Sequence, residues 1–535
     1  MQKEISLKLS PSETVDDSII RQYIARALGN EEKEISGFYR LRQSIDARSR
    51  SQVWINLTIH AFVDEPFHQR EIQTVSFQDV RDAKTRVIII GAGPAGLFAA
   101  LKLIEAGIQP IILERGKDVR ARRRDLAILN KEGIVNPESN YCFGEGGAGT
   151  YSDGKLYTRS SKRGDINRVL NILCQFGAEE SILYEAHPHI GTNKLPNIIT
   201  AIREQIIQSG GMFLFEKKVT DFVIKNNLLK SVTTADGDSI SADAVILATG
   251  HSARDIYQLF NNKGLFIEAK PFALGVRIEH PQTLIDSIQY HCAVRDGHLP
   301  PASYGLVEQV NERGVFSFCM CPGGIIAPAA TNPGELVVNG WSPSKRNNPY
   351  ANSGMVVQVE MSDAIAYFKK NDSKISQFQN SEINPSPLLL MHFQEAIEKS
   401  AFTAGGGELK APAQRMADFC TNKHSATLPD CSYLPGVTTS DLRSVLPGFI
   451  HQSLQKGLQA FGKKMRGYLT NDAIIVATES RTSSPVRIPR DPESLTHPQL
   501  ENLYPCGEGA GYAGGIVSAA MDGERVAGMI IKKER

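Results

Sequence analysis

The feature that most constrains this sequence is a glycine-rich turn between two apolar runs. The first run, 87–90, leads directly into Gly91-Ala92-Gly93-Pro94-Ala95-Gly96, and the second, 111–113, ends in Glu114. An alanine- and leucine-rich stretch separates the two runs. This order predicts a strand, a tight turn, a helix and a second strand.

The spacing of the glycines predicts a dinucleotide site. Gly91 permits the turn, Gly93 allows a pyrophosphate to approach the backbone, and Gly96 lets the helix pack against the strand. The first helical turn, with Pro94 and Ala95, presents free N–H groups to the phosphates. Glu114, 18 positions after Gly96, can accept hydrogen bonds from the adenosine ribose. The alternative to a dinucleotide site is an ordinary βαβ unit that binds no ligand.

Length and composition limit the classes that remain. A chain of 535 residues is expected to form more than one domain. A net charge of +1 gives no electrostatic reason to expect nucleic acid or an anionic membrane as a partner. We expect a cytoplasmic protein, because the sequence shows no secretory signal and no membrane-spanning stretch. Its oligomeric state is left open.

The eight cysteines are scattered, which favours reduced thiols. Cys319 and Cys321 form a C-x-C pair, which is too tight for an easy disulfide, so we interpret both as buried strand residues. No further spacing indicates a metal site, and none is predicted.

The pattern along the chain predicts an α/β fold. We expect a Rossmann-like FAD-binding domain, an inserted mixed α+β substrate domain and a small N-terminal βαββ module. The predicted boundaries are 1–80 for the N-terminal module, 86–250 plus 485–535 for the discontinuous dinucleotide domain, and 251–484 for the inserted domain. A basic segment, 40–50, lies in the predicted hairpin of the module. It is interpreted as a solvated face, with a contact to a partner or to nucleic acid as the alternative.

A second glycine loop indicates FAD rather than NAD. Residues 502–516 predict a short strand, a glycine loop and the start of another helix. The N-terminus of that helix, with Gly514, Gly515 and Ile516, can face the flavin N1–C2=O edge, where negative charge develops on reduction. In the same loop Gly507 lies beside Glu508, which can hydrogen-bond the ribityl chain. Thr249 and Gly250, which follow the buried strand 244–248, are expected to pass close to the cofactor.

A third glycine-rich segment, 143–150, follows the first βαβ unit. Gly146, Gly147 and Ala148 are expected to lie against the flavin or the pyrophosphate, since glycine leaves the backbone open to a ligand. Lys155 follows this loop and can stabilise a reduced flavin or bind a substrate carboxylate. The histidines His187, His189 and His392 are further acid–base candidates, of which His189 is retained with Lys155 as catalytic.

Several long motifs resemble a family of largely uncharacterised bacterial and plastid FAD-dependent dehydrogenase-like proteins. They are FGEGGAGTYSDGKL at 143–156, HPHIGTNKL at 187–195, ATGHSARD at 248–255, SFCMCPGG at 317–324, ANSGMVV at 351–357 and CGEGAGYAGGIVSAAMDG at 506–523. The resemblance covers nearly the whole chain. The broader superfamily has the glutathione-reductase-type FAD fold without its separate NAD(P)H domain.

The resemblance implies that Gly91, Gly93, Gly96, Glu114 and Arg115 hold FAD non-covalently. It also implies a backbone contact to adenine near Val219, and closing contacts from Gly507, Glu508 and 514–516. Arg122 lies where such folds often contact the cofactor.

We therefore expect a flavin oxidoreductase that acts on a small-molecule substrate, with NADH or NADPH as a candidate electron donor. The alternative is an interaction or RNA-associated protein in which FAD is structural or sensory.

Overall fold

An antiparallel sheet and one helix form the N-terminal part of the chain. The computed structural model describes residues 1–158, 164–370 and 385–534. Strands β1 (Gln2–Leu9), β2 (Ile35–Asp46) and β3 (Trp54–Val63) pair in the order β1-β3-β2, and α1 (Asp17–Leu28) connects β1 to β2. The helix begins where the side chain of Asp16 accepts a hydrogen bond from the amide of Ser18. The βαββ order is confirmed, whereas the module boundary at residue 80 stays a prediction.

A parallel sheet carries the glycine turn predicted from the sequence. Its strands are β4 (Arg86–Ile90), β5 (Gln109–Leu113), β6 (Met212–Leu214), β10 (Ala244–Leu247) and β22 (Leu503–Pro505), in the order β22-β10-β4-β5-β6. Helix α2 (Pro94–Glu105) connects β4 to β5, α5 (Leu195–Gln208) precedes β6, and α12 (Ile516–Glu534) follows β22. This arrangement confirms the Rossmann-like α/β class.

The strands of this sheet are apolar at nearly every position because both faces are covered. Ile89 and Ile112 pack toward α2 and α12, whereas Ile88 and Ile111 pack into a separate cluster on the opposite face. The alternation follows from the two-residue period of a strand. Each fully buried isoleucine contributes about 1.5–3 kcal/mol.

A seven-stranded sheet lies between the two halves of the parallel sheet in the sequence. Its strands are β12 (Phe272–Pro281), β13 (Val307–Val310), β14 (Arg313–Cys321), β17 (Tyr350–Val359), β18 (Ala411–Arg415), β19 (Val437–Thr439) and β20 (Ile474–Glu479). They pair in the order β13-β14-β17-β12-β20-β18-β19, and all these pairs are antiparallel except β18–β19. Its core is continuous with that of the N-terminal sheet, so the two sheets form one hydrophobic cluster.

The remaining elements cover these sheets. The short strands are β7 (Val219–Lys225), β8 (Leu228–Thr234), β9 (Ser239–Ile240), β11 (Glu268–Ala269), β15 (Ile325–Pro328), β16 (Val338–Trp341) and β21 (Val486–Arg487). The remaining helices are α3 (Val119–Glu132), α4 (Ile166–Gln175), α6 (Arg254–Asn262), α7 (Gln282–Tyr290), α8 (Met361–Lys370), α9 (Leu389–Ala404), α10 (Met416–Cys420) and α11 (Gly448–Lys464). Within the described ranges, no helix is both long enough and apolar enough to cross a bilayer.

Candidate cofactor and redox site

A cavity of about 380 Å³ lies at the edge where the parallel strands end. Ile90, Leu113 and Ala248, at the ends of three neighbouring strands, all line it. This is the edge of an open parallel sheet where ligands bind. The predicted residues that line the cavity are Gly91, Gly93, Pro94, Ala95, Glu114, Arg115, Gly147, Ala148, Lys155, Val219, Thr249, Gly250, Gly507, Glu508, Gly514, Gly515 and Ile516.

The glycine turn has the geometry that its sequence predicts. Gly91 has φ +107, and a Cβ there would lie 2.4 Å from the carbonyl oxygen of Ala248. Gly96 does not line the cavity. A Cβ at Gly96 would lie 2.0 Å from the carbonyl oxygen of Gly91, so this glycine maintains the close contact between helix and strand.

The Glu114 carboxylate organises the loops around the cavity. Its Oε2 accepts a hydrogen bond from the Ala92 amide at 3.0 Å, and its Oε1 accepts from the Gly116 amide at 2.8 Å and the Gly144 amide at 2.9 Å. An ionised carboxylate offers about four acceptor positions. Glu114 is 4% exposed and lines the cavity, so the remaining position is available to a ligand.

Besides Gly96, two residues with a predicted cofactor contact, Arg122 and Gly146, do not line the cavity. Arg122 is fully buried, and its guanidinium donates to the carbonyl oxygens of Asn140 (2.8 Å), Tyr141 (3.0 Å) and Glu145 (2.8 Å). The amide of Gly146 donates to the carbonyl of Ala92. Both residues fix the shape of the glycine loop.

The N-termini of α2 and α12 converge on the same cavity. The helices pack so closely that a Cβ at Gly523 would lie 2.1 Å from the carbonyl oxygen of Ala95. At their starts, a Cβ at Gly149 would lie 3.3 Å from Ile516 and 3.5 Å from Pro94. The two positive helix ends therefore act on one cavity, side by side.

A buried ion pair, which the sequence analysis missed, supports the loop before α12. The Asp522 carboxylate accepts a hydrogen bond from the Gly507 amide at 2.8 Å and pairs with the Arg490 guanidinium at 2.6 Å. Arg490 also donates to the carbonyl of Pro505. Pairing makes the buried charges tolerable and holds the loop at the mouth of the cavity.

One end of the cavity is formed by charged residues beyond β5. Arg115 pairs with Glu138 at 2.7 Å and with Asp255 at 2.9 Å, and its guanidinium lies 4.1 Å from the centroid of the Phe143 ring. Val219 and the lysines Lys217 and Lys218 line this end, although the sequence analysis did not single out the lysines.

The other end of the cavity brings Lys155 close to two sulfur atoms. The Nζ of Lys155 lies 4.0 Å from the Sγ of both Cys319 and Cys321, and it donates to the carbonyl of Met320. It also lies 3.7 Å from the Asp153 carboxylate. Burial opposes the charge of Lys155, but the two sulfurs and Asp153 outweigh it and raise the pKa of the ammonium.

A catalytic role for His189 stays a prediction, and the structure places this residue outside the cavity lining. Its Nε2 lies 3.2 Å from the carbonyl oxygen of Ser344. Burial lowers its pKa, so the ring is neutral near pH 7. Its neighbour His187 contacts the ring of Tyr157. Among residues 1–158, 164–370 and 385–534, no group of three or more His, Cys, Asp or Glu side chains is placed to hold a metal ion.

Two further titratable groups line the cavity between its ends. Burial raises the pKa of Glu508 to about 7, although the Lys270 ammonium opposes this shift. Burial and the Arg481 guanidinium lower the pKa of His251 to about 4, so its imidazole is neutral. His251 follows Thr249-Gly250 at the end of β10, a position at which the sequence analysis could have identified it.

This geometry fits the phosphates and ribose of a dinucleotide. The N-terminus of α2 has no side-chain cap, so its amides remain available to phosphate oxygens. Gly91 and Gly93 keep side chains out of the approach, and Glu114 retains an acceptor. The fold and the cavity together define a dinucleotide-binding protein of the Rossmann type.

Comparisons with known proteins agree with this class. Residues 84–129 match an FAD binding domain, residues 271–482 match the FAD-dependent protein, C-terminal domain-like family, and residues 1–62 match a domain of unknown function. An uncharacterized protein of Clostridium beijerinckii is 39% identical over 97% of this chain and 96% of its own length. The chain belongs to this uncharacterised family of FAD-dependent proteins.

Two more distant similarities were also found. Thiamine thiazole synthase of Aeropyrum pernix is 25% identical over 32% of this chain and 56% of its own length. The solved structure of 2,6-dihydroxypyridine-3-hydroxylase from Arthrobacter nicotinovorans aligns with 85% of each chain at 10% identity and a TM-score of 0.37.

Proposed function

We propose that this chain transfers a hydride or an electron pair between non-covalently bound FAD and a small-molecule substrate that enters beside Lys155. The observation that carries the proposal is the single cavity, which extends from Glu114 and Val219 to the N-terminus of α12 and Lys155. Bound FAD would supply the two-electron chemistry, and the protein would supply orientation and electrostatics.

The orientation follows from the two ends of the cavity. The end with Glu114, Arg115 and Val219 offers an acceptor for ribose hydroxyls and a backbone edge for adenine. The amides at the N-terminus of α2 would bind the pyrophosphate. The isoalloxazine ring would then lie toward α12, where the positive helix end stabilises negative charge at the N1–C2=O edge.

Two side chains set the proton and charge balance at the flavin end. Glu508, with a pKa of about 7, can donate or accept a hydrogen bond at the ribityl chain near neutral pH. Lys155 carries the positive charge that faces the cavity from the opposite wall. It can hold an anionic substrate group or offset the charge of the reduced cofactor.

Nothing observed in the N-terminal module specifically favours the alternative function, that of an interaction or RNA-associated protein in which FAD is structural or sensory. Arg40 and Arg48, from the basic segment, pair with Asp17 at 3.5 Å and with Asp46 at 2.8 Å.

Anaerobic addition of NADH or NADPH to the yellow holoprotein tests the direction of electron flow. Bleaching of the flavin absorbance within the mixing time would establish a nicotinamide-driven reductase. Unchanged absorbance, with bleaching by dithionite as the positive control, would instead assign the donor role to the organic substrate.

Loss of turnover in Lys155→Met with full FAD content would support the placement of the substrate beside Lys155.

A further inference from the structure

A pair of thiols lies at the cavity, beside Lys155. Cys319 lines the cavity and is half-buried, whereas Cys321 is fully buried behind it. The sequence analysis interpreted both as buried strand residues, and for Cys319 this interpretation is wrong.

The local backbone brings the two sulfurs together. β14 changes register against β17 between Phe318 and Cys321, and Cys319 lies inside this irregularity with φ +48. The thiol of Cys321 donates to the carbonyl oxygen of Cys319 at 3.2 Å, and the Lys155 Nζ lies 4.0 Å from both sulfurs. Residues two apart in a strand lie at most about 6.6 Å apart. This upper bound lies below the limit of about 6.8 Å for the Cα separation in a disulfide, so the expectation that a C-x-C pair is too tight is revised for this pair.

Two cations flank the pair from opposite sides. Lys155 lies 4.0 Å from each sulfur, and the buried Arg277 lies 3.5 Å from the Cys321 Sγ and 2.8 Å from the Cys319 carbonyl oxygen. Arg277 is itself fixed by Glu479 at 3.0 Å. Positive charge of this kind stabilises a thiolate.

The electrostatics distinguish this pair from the other buried cysteines. The hydrogen bond from Cys321, together with Lys155 and Arg277, lowers the pKa of the Cys319 thiol well below its ordinary value. Burial, with a smaller contribution from Glu180, raises the pKa of Cys174 to about 11, and burial alone raises that of Cys420 to about 12. Cys319 is therefore the thiol of the pair that loses its proton more readily, and Cys321 is the one that retains it.

We propose that Cys319 and Cys321 form a second redox centre, which exchanges an electron pair with FAD as a dithiol and a disulfide. This inference rests on the proposed function. In the reductive direction the S–S bond breaks, Cys319 leaves as a thiolate and Cys321 takes up a proton. The electron pair and that proton come from reduced FAD (FADH−), which becomes FAD, so atoms and charge balance. The oxidised pair can in turn accept electrons from a thiol substrate.

The first test counts electrons in the wild-type holoprotein. After mild oxidation and removal of the oxidant, anaerobic titration with dithionite is expected to consume four electrons per FAD, two for the flavin and two for the disulfide. Consumption of two electrons per FAD would overturn the proposal. A colourless protein would overturn the proposed function as well, so the two failures are distinguishable.

The second test detects the disulfide by peptide mass, and it depends on neither the flavin absorbance nor enzyme activity. Cleavage after lysine and arginine releases the peptide 314–345, whose cysteines are Cys319 and Cys321. Protein oxidised as above, alkylated without reduction and then digested should yield this peptide unalkylated and lighter than the dithiol by two hydrogens. Dithionite-treated protein should yield the doubly alkylated peptide. Alkylation of both cysteines in the oxidised sample would overturn the proposal.

Two matched variants test whether the two electrons beyond those of the flavin reduce the Cys319–Cys321 pair. Cys321→Ser should lower the count from four to two per FAD while the flavin absorbance is retained. Cys292→Ser, at a cysteine beyond the end of α7, should keep four. If Cys321→Ser binds FAD and still takes four electrons, the centre lies elsewhere and the proposal is wrong. If that variant does not fold, the electron count and peptide mass of the wild type decide alone.

Discussion

The carboxylate of Glu114 joins three backbone segments, since it accepts hydrogen bonds from the amides of Ala92, Gly116 and Gly144. Glu114→Gln replaces one acceptor oxygen by a donor, which then faces a backbone N–H. Leaving a buried group unsatisfied costs about 1–3 kcal/mol. We expect the dissociation constant for FAD to rise by about tenfold or more, as measured by fluorescence titration. The exposed Glu132→Gln is the control, and equal affinity in both variants would contradict the assigned role.

Glu508 gives the protein without FAD a pH-dependent stability. Its folded pKa, about 7, exceeds the ordinary glutamate value, so the folded state binds more protons than the unfolded state between the two values. Stability is therefore lost as pH rises through this window, by at most about 3 kcal/mol at 1.36 kcal/mol per pKa unit. Urea unfolding at several pH values should show this loss relative to Glu508→Gln, which cannot ionise. Parallel pH profiles for the two proteins would contradict the shift.

Lys155 sets the reactivity of the Cys319 thiolate. In the wild type the alkylation rate of Cys319 by iodoacetamide should change little between neutral pH and about 8.5, the ordinary pKa of a thiol. In Lys155→Met the rate should rise with pH over that interval, because the thiolate loses its nearest cation. Quantifying alkylation of the peptide 314–345 checks this expectation. A pH-independent rate in the variant would show that Arg277 and Cys321 suffice.

At the scale of the element, the contact between α2 and α12 determines whether both helix ends reach the cavity. Gly523→Ala would place a Cβ 2.1 Å from the carbonyl oxygen of Ala95 and force the helices apart. Gly528→Ala, in the same helix, meets no atom within 4 Å. We expect Gly523→Ala to lose bound FAD and at least about 2 kcal/mol of unfolding free energy. Gly528→Ala should gain about 0.5–1 kcal/mol.

Chemical denaturation with the flavin absorbance recorded in parallel checks both variants. A Gly523→Ala protein with wild-type stability and FAD content would show that the helices can separate without affecting the site.

The sequence predicts the local part of this site and misses the part that depends on packing. The turn at Gly91, helix α2 and Glu114 follow from spacing, because their geometry is set within one βαβ unit. The sequence analysis misses the burial of Arg122 because this residue lies in a basic run. Its position is indicated by the spacing of Val119, Arg122 and the leucines of α3, which places it on the buried helix face.

The proximity of Lys155 and Cys319 has no signal in the sequence. The two residues are 164 positions apart and lie in different structural units, so their contact depends on how the seven-stranded sheet docks against the parallel sheet. The same holds for Asp522 and Arg490, whose ion pair joins α12 to the segment that precedes β22. Contacts between units are determined by tertiary packing, on which local periodicity carries no information.

At the scale of the whole molecule, the central claim is that one cavity holds one FAD between α2 and α12. The most direct measurement is the visible spectrum of the purified chain, with release and identification of its flavin and a ratio of flavin to protein. We expect a yellow protein that releases one molecule of FAD per chain. A colourless chain that takes up no added FAD, or one that releases only FMN, would contradict it.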